Sequence, residues 1–524
     1  MALLKVDNLT ITLGGSALVD DVSFAIGKGQ RLALIGEAGS GKSLVLRAVA
    51  GLLPAGAAAS GSIGFDDKPM PTDVGERRAL NGKRIGVLLD HRSIALLPLR
   101  PLGAQLDAAL AQAGSEGDRA AQRAELLRDV GLDAALADRY PEALSVAEQR
   151  RALFAFAIAA KPELLVADDP AAGLDLLDQR RVLDLILKHC TERGMSLLFT
   201  SHDLRTVAML STKVVVLQGG KVVESGEKQE VFGHPRHPFT RAMLSAGRHR
   251  ARTLMRTPIG ATLLELREVS CVQAPGLPLL DRRPPVTRLE AVSFSIRAGE
   301  SVAVIGPAGA GKSTLLRIVA GLERASSGEL AFEQVAYHGT DLPRLLRHEI
   351  GYVFANPAGS FNPRHTVGES IAEPLQLEMQ KSVDELGARI VEVVRAVGLS
   401  PEVLTRLPAD FTLAELQRLA IARALVTRPR LVIIDEPIAA LDIGARGEVL
   451  VMLNRLRADF GLSFLIATHD LDVVRVVADR VLVLEGGRIV EATTPAQMLE
   501  APQHPTTQQL VAAQLPDVGI VPVF

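Results

Sequence analysis

The stretch "RLALIGEAGSGKS", residues 31–43, and its near copy "SVAVIGPAGAGKS", residues 301–313, decide the fold. Each runs from a Val/Ile/Leu-rich strand pattern through a glycine-rich turn into Lys-Ser and a helical pattern. That is the context in which G-x-x-x-x-G-K-[ST] reads as a phosphate-binding loop. The glycines answer a physical need: several backbone N–H groups must turn inward at a helix N-terminus, where the dipole favours an anion, and side chains would block the approach. The expected phosphate-binding set is Gly36, Glu37, Ala38, Gly39, Ser40, Gly41, Lys42 and Ser43 in the first copy. In the second it is Gly306, Pro307, Ala308, Gly309, Ala310, Gly311, Lys312, Ser313 and Thr314. Lys42 and Lys312 are expected to reach the β- and γ-phosphates of ATP, and Ser43 and Ser313 to offer hydroxyls to Mg²⁺.

Working outward, the duplication extends over the chain. Lys42 is answered by Lys312, 270 positions on. "LLVADDP" (164–170) is answered by "LVIIDEP" (431–437), and "TSHDL" (200–204) by "THDL" (468–471), both at 267 positions. Order and spacing are kept, which marks a duplicated domain. Apolar strand runs alternate with helical patterns in each copy, the sign of an α/β fold with a parallel sheet covered by helices. The expected boundaries are 1–245 for the first domain, 246–261 for a short basic linker and 262–524 for the second domain with a C-terminal extension. The first half of the linker reads equally well as a last helix running on.

The paired acids carry the next piece of chemistry. Asp168 and Asp435 each end an apolar strand, where a carboxylate can hold Mg²⁺ beside the phosphates, so the metal set is Ser43, Asp168, Ser313 and Asp435. The following acid is the candidate general base. Glu436 has the reach to polarise an attacking water, whereas Asp169 is one methylene shorter, and about 1 Å of misplacement can cost ~10²-fold. His202 and His469 close another strand, where an imidazole can contact a terminal phosphate. A lone histidine there is more often structural, but recurrence at one offset puts both in the site. The catalytic set is therefore Glu436, His469, Asp169 and His202, with the second copy the hydrolytic one.

Composition bounds the rest. A chain of 524 residues, 48% hydrophobic and 23% charged, is soluble-globular in character and long enough for two domains. Fifty-eight basic against sixty acidic residues give a net charge of −2, which excludes a general field for nucleic acid or an anionic membrane. The two cysteines, Cys190 and Cys271, have no paired spacing, so neither a disulfide nor a zinc site is expected. The start "MALLKVDNLTITLGG" shows no signal-peptide pattern, and no stretch approaches the roughly 18 apolar residues of a membrane span. A cytosolic chain that does not cross a membrane by itself is the expectation.

Phosphate loop, strand with paired acids and strand-end histidine, in that order and twice, resemble the ATPase subunits of ABC transporters. The resemblance implies for each half a RecA-like core, an antiparallel β subdomain and a helical subdomain. "HPRHPFTRAML" (234–244) is similar to the His-Pro element of importers of oligopeptides, dipeptides, nickel and glutathione, and "APQHPTTQQL" (501–510) looks like a weaker second copy. "LSVAE" (144–148) and "TLAE" (412–415) occupy the slot of the family's Leu-Ser-Gly-Gly-Gln signature, with Val146, Ala147, Leu413 and Ala414 in place of glycines. The resemblance therefore adds Ser145, Ala147, Glu148, Thr412, Ala414 and Glu415 as contacts to ATP bound by the opposite copy. Read by itself, "LSVAEQRR" is simply an amphipathic helix start. The family's Q-loop glutamine falls at Asp90 and Ala355, and its adenine-stacking aromatic at Leu13 and Gln273, so both positions depart from the pattern.

The resemblance further implies two permease subunits, a separate substrate-binding protein and a place on the cytoplasmic face of the inner membrane. No nucleic acid, disulfide or iron–sulfur cluster is expected. Two rival readings are a ribosome-associated twin ATPase, disfavoured by the short linker, and a nucleotide-binding regulator with negligible hydrolysis, motivated by the altered signatures. The cargo is not encoded here, because specificity resides in the permeases and binding protein.

Overall fold

The computed structural model describes residues 2–89, 96–114, 116–247, 258–273, 285–377, 382–438 and 441–515. The chain forms two compact units, whose main segments are Met1–Arg248 for the first and His249–Leu441 with Ala445–Gln514 for the second. The helix Pro238–Gly247 reaches only the first residues of the expected linker, and most of that linker, with Asp90, lies outside the described residues.

Each unit carries one large mixed sheet. In the first, the strands run in the order Lys221–Glu227, Lys213–Gln218, Arg31–Gly36, Ser196–Thr200, Leu164–Asp168 and Ile85–Leu88. All neighbours are parallel except the outermost pair Lys221–Glu227 and Lys213–Gln218. The second unit repeats this order with Arg488–Thr493, Arg480–Glu485, Ser301–Ile305, Ser463–Ala467, Leu431–Asp435 and Ile350–Val353. The strands that precede the phosphate loop, the paired acid and the histidine are buried along almost their whole length. Burial on both faces is why their sequences read as unbroken apolar runs rather than alternating ones.

A four-stranded antiparallel sheet packs beside each core, built in the first unit from Ala2–Leu13, Ser16–Gly27, Ala57–Phe65 and Lys68–Pro69. Helices between the strand Ile85–Leu88 and the acid strand, including Leu102–Gln112, Arg119–Asp129 and Val146–Ile158, form a helical layer around Leu106, Leu127 and Phe154. The second unit matches it with Val367–Ala372, Val383–Ala396 and Leu413–Leu425 around Ile371, Val394 and Leu419. The α/β class, the antiparallel sheet and the helical layer expected from the sequence are all present in both halves.

One local device recurs in the antiparallel sheets. Register shifts between Asp7 and Thr10 and between Arg267 and Ser270 place Asn8 and Glu268 at positive φ, opposite Gly61 and Gly328. A Cβ on Gly328, at φ +88, would lie 2.4 Å from the Glu268 carbonyl oxygen, so only glycine fits this bulge. Gly328→Ala should therefore lower the stability of the second unit by about 1–3 kcal/mol, read as a lower urea midpoint. Gly387→Ala, in a helix with nothing near the added carbon, should instead raise it by roughly 0.4–1 kcal/mol.

Candidate functional site

The sheet order decides what meets at the carboxyl ends of the strands. Arg31–Gly36 lies beside Ser196–Thr200, which lies beside Leu164–Asp168, so the phosphate loop, the acid pair and the histidine converge at one edge. Ligands of open parallel sheets bind at that edge.

The loop is shaped by its glycines. Gly41 and Gly311 are the N-caps of Lys42–Ala50 and Lys312–Val319, both left-handed at φ +91 and +103 and without a side-chain cap. The helices' first N–H groups are thus left for another acceptor, the requirement of an anion site. Lys42 Nζ donates to the carbonyls of Gly36 at 2.9 Å and Glu37 at 2.5 Å and to Ser40 Oγ at 3.2 Å. Lys312 Nζ makes the matching bonds to Gly306 at 2.6 Å and Pro307 at 3.0 Å. Burial pulls the Lys42 ammonium down to about 8. A desolvated cation of this kind gains most from a triphosphate, whose charge restores the protonated form. Ala38, Gly39, Ala308, Gly309 and Ala310 complete the two turns, and Thr314 lies in the first turn of its helix.

The metal-candidate acids adjoin the loops. Asp168 Oδ1 accepts from Ser43 Oγ at 3.0 Å and from Thr200 Oγ1 at 2.5 Å. Asp435 is buried, and desolvation raises its carboxyl above the usual range although the Ser313 hydroxyl opposes the shift. Hydroxyl and carboxylate oxygens on each loop suit a hard cation such as Mg²⁺, and a positive charge there would relieve the burial of Asp435.

The two halves diverge at the next residue. Asp169 and Glu436 both sit at positive φ, +41 and +53, a strained turn that directs the chain out of the sheet. Glu436 Oε2 lies 2.9 Å from His469 Nδ1 and 3.4 Å from both Thr468 Oγ1 and the His469 amide. Burial disfavours the imidazolium, but the facing Glu436 carboxylate and its hydrogen bond outweigh it, and Asp470 adds to them, so His469 titrates above its usual 6.5. Asp169 Oδ1 accepts from Ser201 Oγ at 3.4 Å, as Glu436 does from the matching Thr468, and its amide donates to Thr200 Oγ1 at 3.1 Å. The structure places His202 at the end of the adjoining strand. Thr200 and Ser201 were missed in the sequence. The signal was there in the aligned copies, since Thr200 answers Ala467 and Ser201 answers Thr468.

The signature segments fold as capped helix starts. Ser145 caps Val146–Ile158 by accepting from the Glu148 amide at 3.2 Å while the Ser145 amide donates to Glu148 Oε2 at 2.7 Å. Thr412 and Glu415 build the same box on Leu413–Leu425, at 3.3 and 2.8 Å. Ala147 packs into the helical layer, Ala414 lies at the margin of its counterpart, and Val146 stands exposed where the pattern has glycine. Ala355 is exposed after the strand Ile350–Val353.

The two His-Pro elements are built alike. Glu224 accepts from the amides of Arg236 at 2.8 Å and His237 at 3.0 Å, and Glu491 from those of Gln503 at 3.3 Å and His504 at 2.9 Å. His237 Nδ1 and His504 Nδ1 then accept from the amides of Phe239 and Thr506, each at 3.3 Å. The second copy, weak as sequence, repeats the first as geometry.

Two phosphate loops on parallel sheets, each followed by an acid pair and a strand-end histidine, define a tandem P-loop ATPase. The model described as "ABC transporter" matches residues 19–172 and 289–439, and that described as "Oligopeptide/dipeptide transporter, C-terminal region" matches 223–262. The chain belongs to the ABC transporter family. It is similar to the peptidoglycan transport ATP-binding protein YejF of Agrobacterium fabrum, 36% identical with 98% of this chain and 96% of that protein covered. It is also similar to the glutathione import ATP-binding protein GsiA of Escherichia coli, at 32% with coverages of 97% and 89%.

The facing pair gives a pH prediction. A raised histidine contributes stability that is complete below its unfolded value and is lost as pH rises through the folded one. In nucleotide-free protein, the His469 Cε1 proton signal should titrate above the ordinary 6.5. Glu436→Gln should move it downward, and a midpoint that does not move would show that Glu436 is not the partner.

Proposed function

We propose that this chain is the ATP-hydrolysing subunit of an importer and drives uptake of peptides or related small solutes. Membership of the family and the matched C-terminal region support this reading. So do the relatives named for peptidoglycan transport and glutathione import. Partners of the kind such importers need, two permease subunits and a solute-binding protein, would tie the chain to the cytoplasmic face of the inner membrane. Among the described residues no helix is long and apolar enough to cross a membrane.

In this reading each loop, Gly36–Ser43 and Gly306–Ser313, cradles the phosphates of ATP. Lys42 and Lys312 supply positive charge. Mg²⁺, held through Ser43 with Asp168 and Ser313 with Asp435, would neutralise charge on the bridging phosphate oxygens. The helix starts at Ser145, Ala147 and Glu148 and at Thr412, Ala414 and Glu415 offer dipole and amides to a γ-phosphate. Their N3 carboxylates hold the N-cap amides, so a phosphate must compete with a negative charge there.

The reach of Glu436, one methylene beyond that of Asp169, carries the assignment of the hydrolytic half. His469 fixes the Glu436 carboxylate, which takes a proton from the attacking water as general base. Asp169 is a methylene shorter, which favours a first half that binds ATP and turns it over slowly. Such asymmetry also limits the regulator alternative to the first half.

In the assembled complex, Glu436→Gln should lower ATP turnover by about 10²-fold or more, and Asp169→Asn by less than about threefold. Equal losses in the two variants would overturn the asymmetry. Turnover stimulated by the solute-binding protein would confirm an importer, and turnover indifferent to it would count against one.

A further inference from the structure

We infer that Arg446 is a positioning residue for the hydrolytic pair of the second half, an inference resting on Glu436 as the base proposed above. Arg446 lies in the helix Ile443–Phe460, and its Nε donates to the Leu441 carbonyl at 3.0 Å. Another guanidinium nitrogen stands 3.7 Å from Asp470 Oδ2. Asp470 directly follows His469. Its Oδ1 accepts from the Asp472 amide at 2.8 Å, and its own amide donates to Thr468 Oγ1 at 3.0 Å, the hydroxyl that faces Glu436. One planar fork therefore links the Leu441 carbonyl, five residues after Glu436 in the sequence, to the turn that carries His469.

A partly exposed ion pair of this length contributes little to stability, so its use is geometric. Loss of the fork would untie the turn at His469 and Asp470 from Leu441, and general-base catalysis is steeply sensitive to displacement of the histidine that holds the base.

The first half carries a neutral residue in place of the arginine. The position matching Arg446 is Gln179. There Asp203 turns onto its own helix, with Oδ1 accepting from the Arg205 amide at 3.0 Å and Oδ2 from Thr206 Oγ1 at 3.4 Å. The second half has Val473 where Thr206 stands, which leaves the Asp470 oxygen to Arg446. The arginine and the valine thus go with the half that has the longer acid.

The test uses the full chain carrying Asp169→Asn, so that turnover reports the second site. Arg446→Gln, the first half's residue, should lower kcat about tenfold, within the ~10²-fold attached to a 1 Å displacement, with KM for ATP changed less than about twofold. Arg446→Lys, which keeps a cation for Asp470, should recover part of the lost kcat, and the melting midpoints should agree. An unchanged kcat in Arg446→Gln overturns the inference, and so does a loss in which KM rises and melting falls together, since packing alone would then explain it. Glu436→Gln in the same background separates the two readings. Full turnover there overturns the base assignment and this inference with it, whereas lost turnover beside a normal Arg446→Gln overturns only the role of Arg446.

Discussion

The backbone where strand turns into phosphate loop constrains everything else. Gly36 and Gly306 adopt φ +151 and +152, and a Cβ on either would lie 2.1 Å from a neighbouring strand's carbonyl oxygen, that of Leu217 or Leu484. No side chain can be accommodated against that backbone. The close approach lets the loop curl back over the sheet edge, and the curl sets the lysine ammonium among its carbonyls and the helix N-terminus toward the same point. Both halves meet the constraint in the same way, and the duplicated fold has been kept around it.

With the cradle fixed, the remaining chemistry depends on side-chain reach. The strand Leu164–Asp168 delivers Asp169 to the place where Leu431–Asp435 delivers Glu436, and both acids sit in the same strained turn. Both accept from the matching hydroxyl, Ser201 or Thr468, and they differ by one methylene of reach. Around that difference the halves have taken different neighbours: Thr200 against Ala467 and Thr206 against Val473. The two sites thereby differ in side chains while keeping identical strand order.

The signature helices show a second compromise. Where the family pattern has glycines, Val146 and Leu413 add bulk, and Glu148 and Glu415 close capping boxes on the helix starts. A capping box stabilises the helix by about 1 kcal/mol whether or not nucleotide is present. The segment is therefore both the amphipathic helix start that its apolar residues suggest and a helix N-terminus able to face an anion.

The sequence by itself determined the fold class, the duplication and the identity of the loop, acid and histidine positions. Each rests on local rules: unbroken apolar runs for buried parallel strands, glycines where positive φ is required, and a carboxylate at a strand end. It also showed that Asp169 is shorter than Glu436. Only the tertiary structure decided what each acid meets. The partners Ser201, His469 and Thr468 come from a strand about thirty residues away, through hydrogen bonds that no spacing rule specifies. The same holds for the His-Pro elements, whose second copy looks weak because its aromatic is missing, although the bonds to Glu491 come from backbone amides and so survive the change of side chains. Local conformation follows from the residue and its neighbours in the chain, whereas contact across the sheet edge depends on the order in which strands pack.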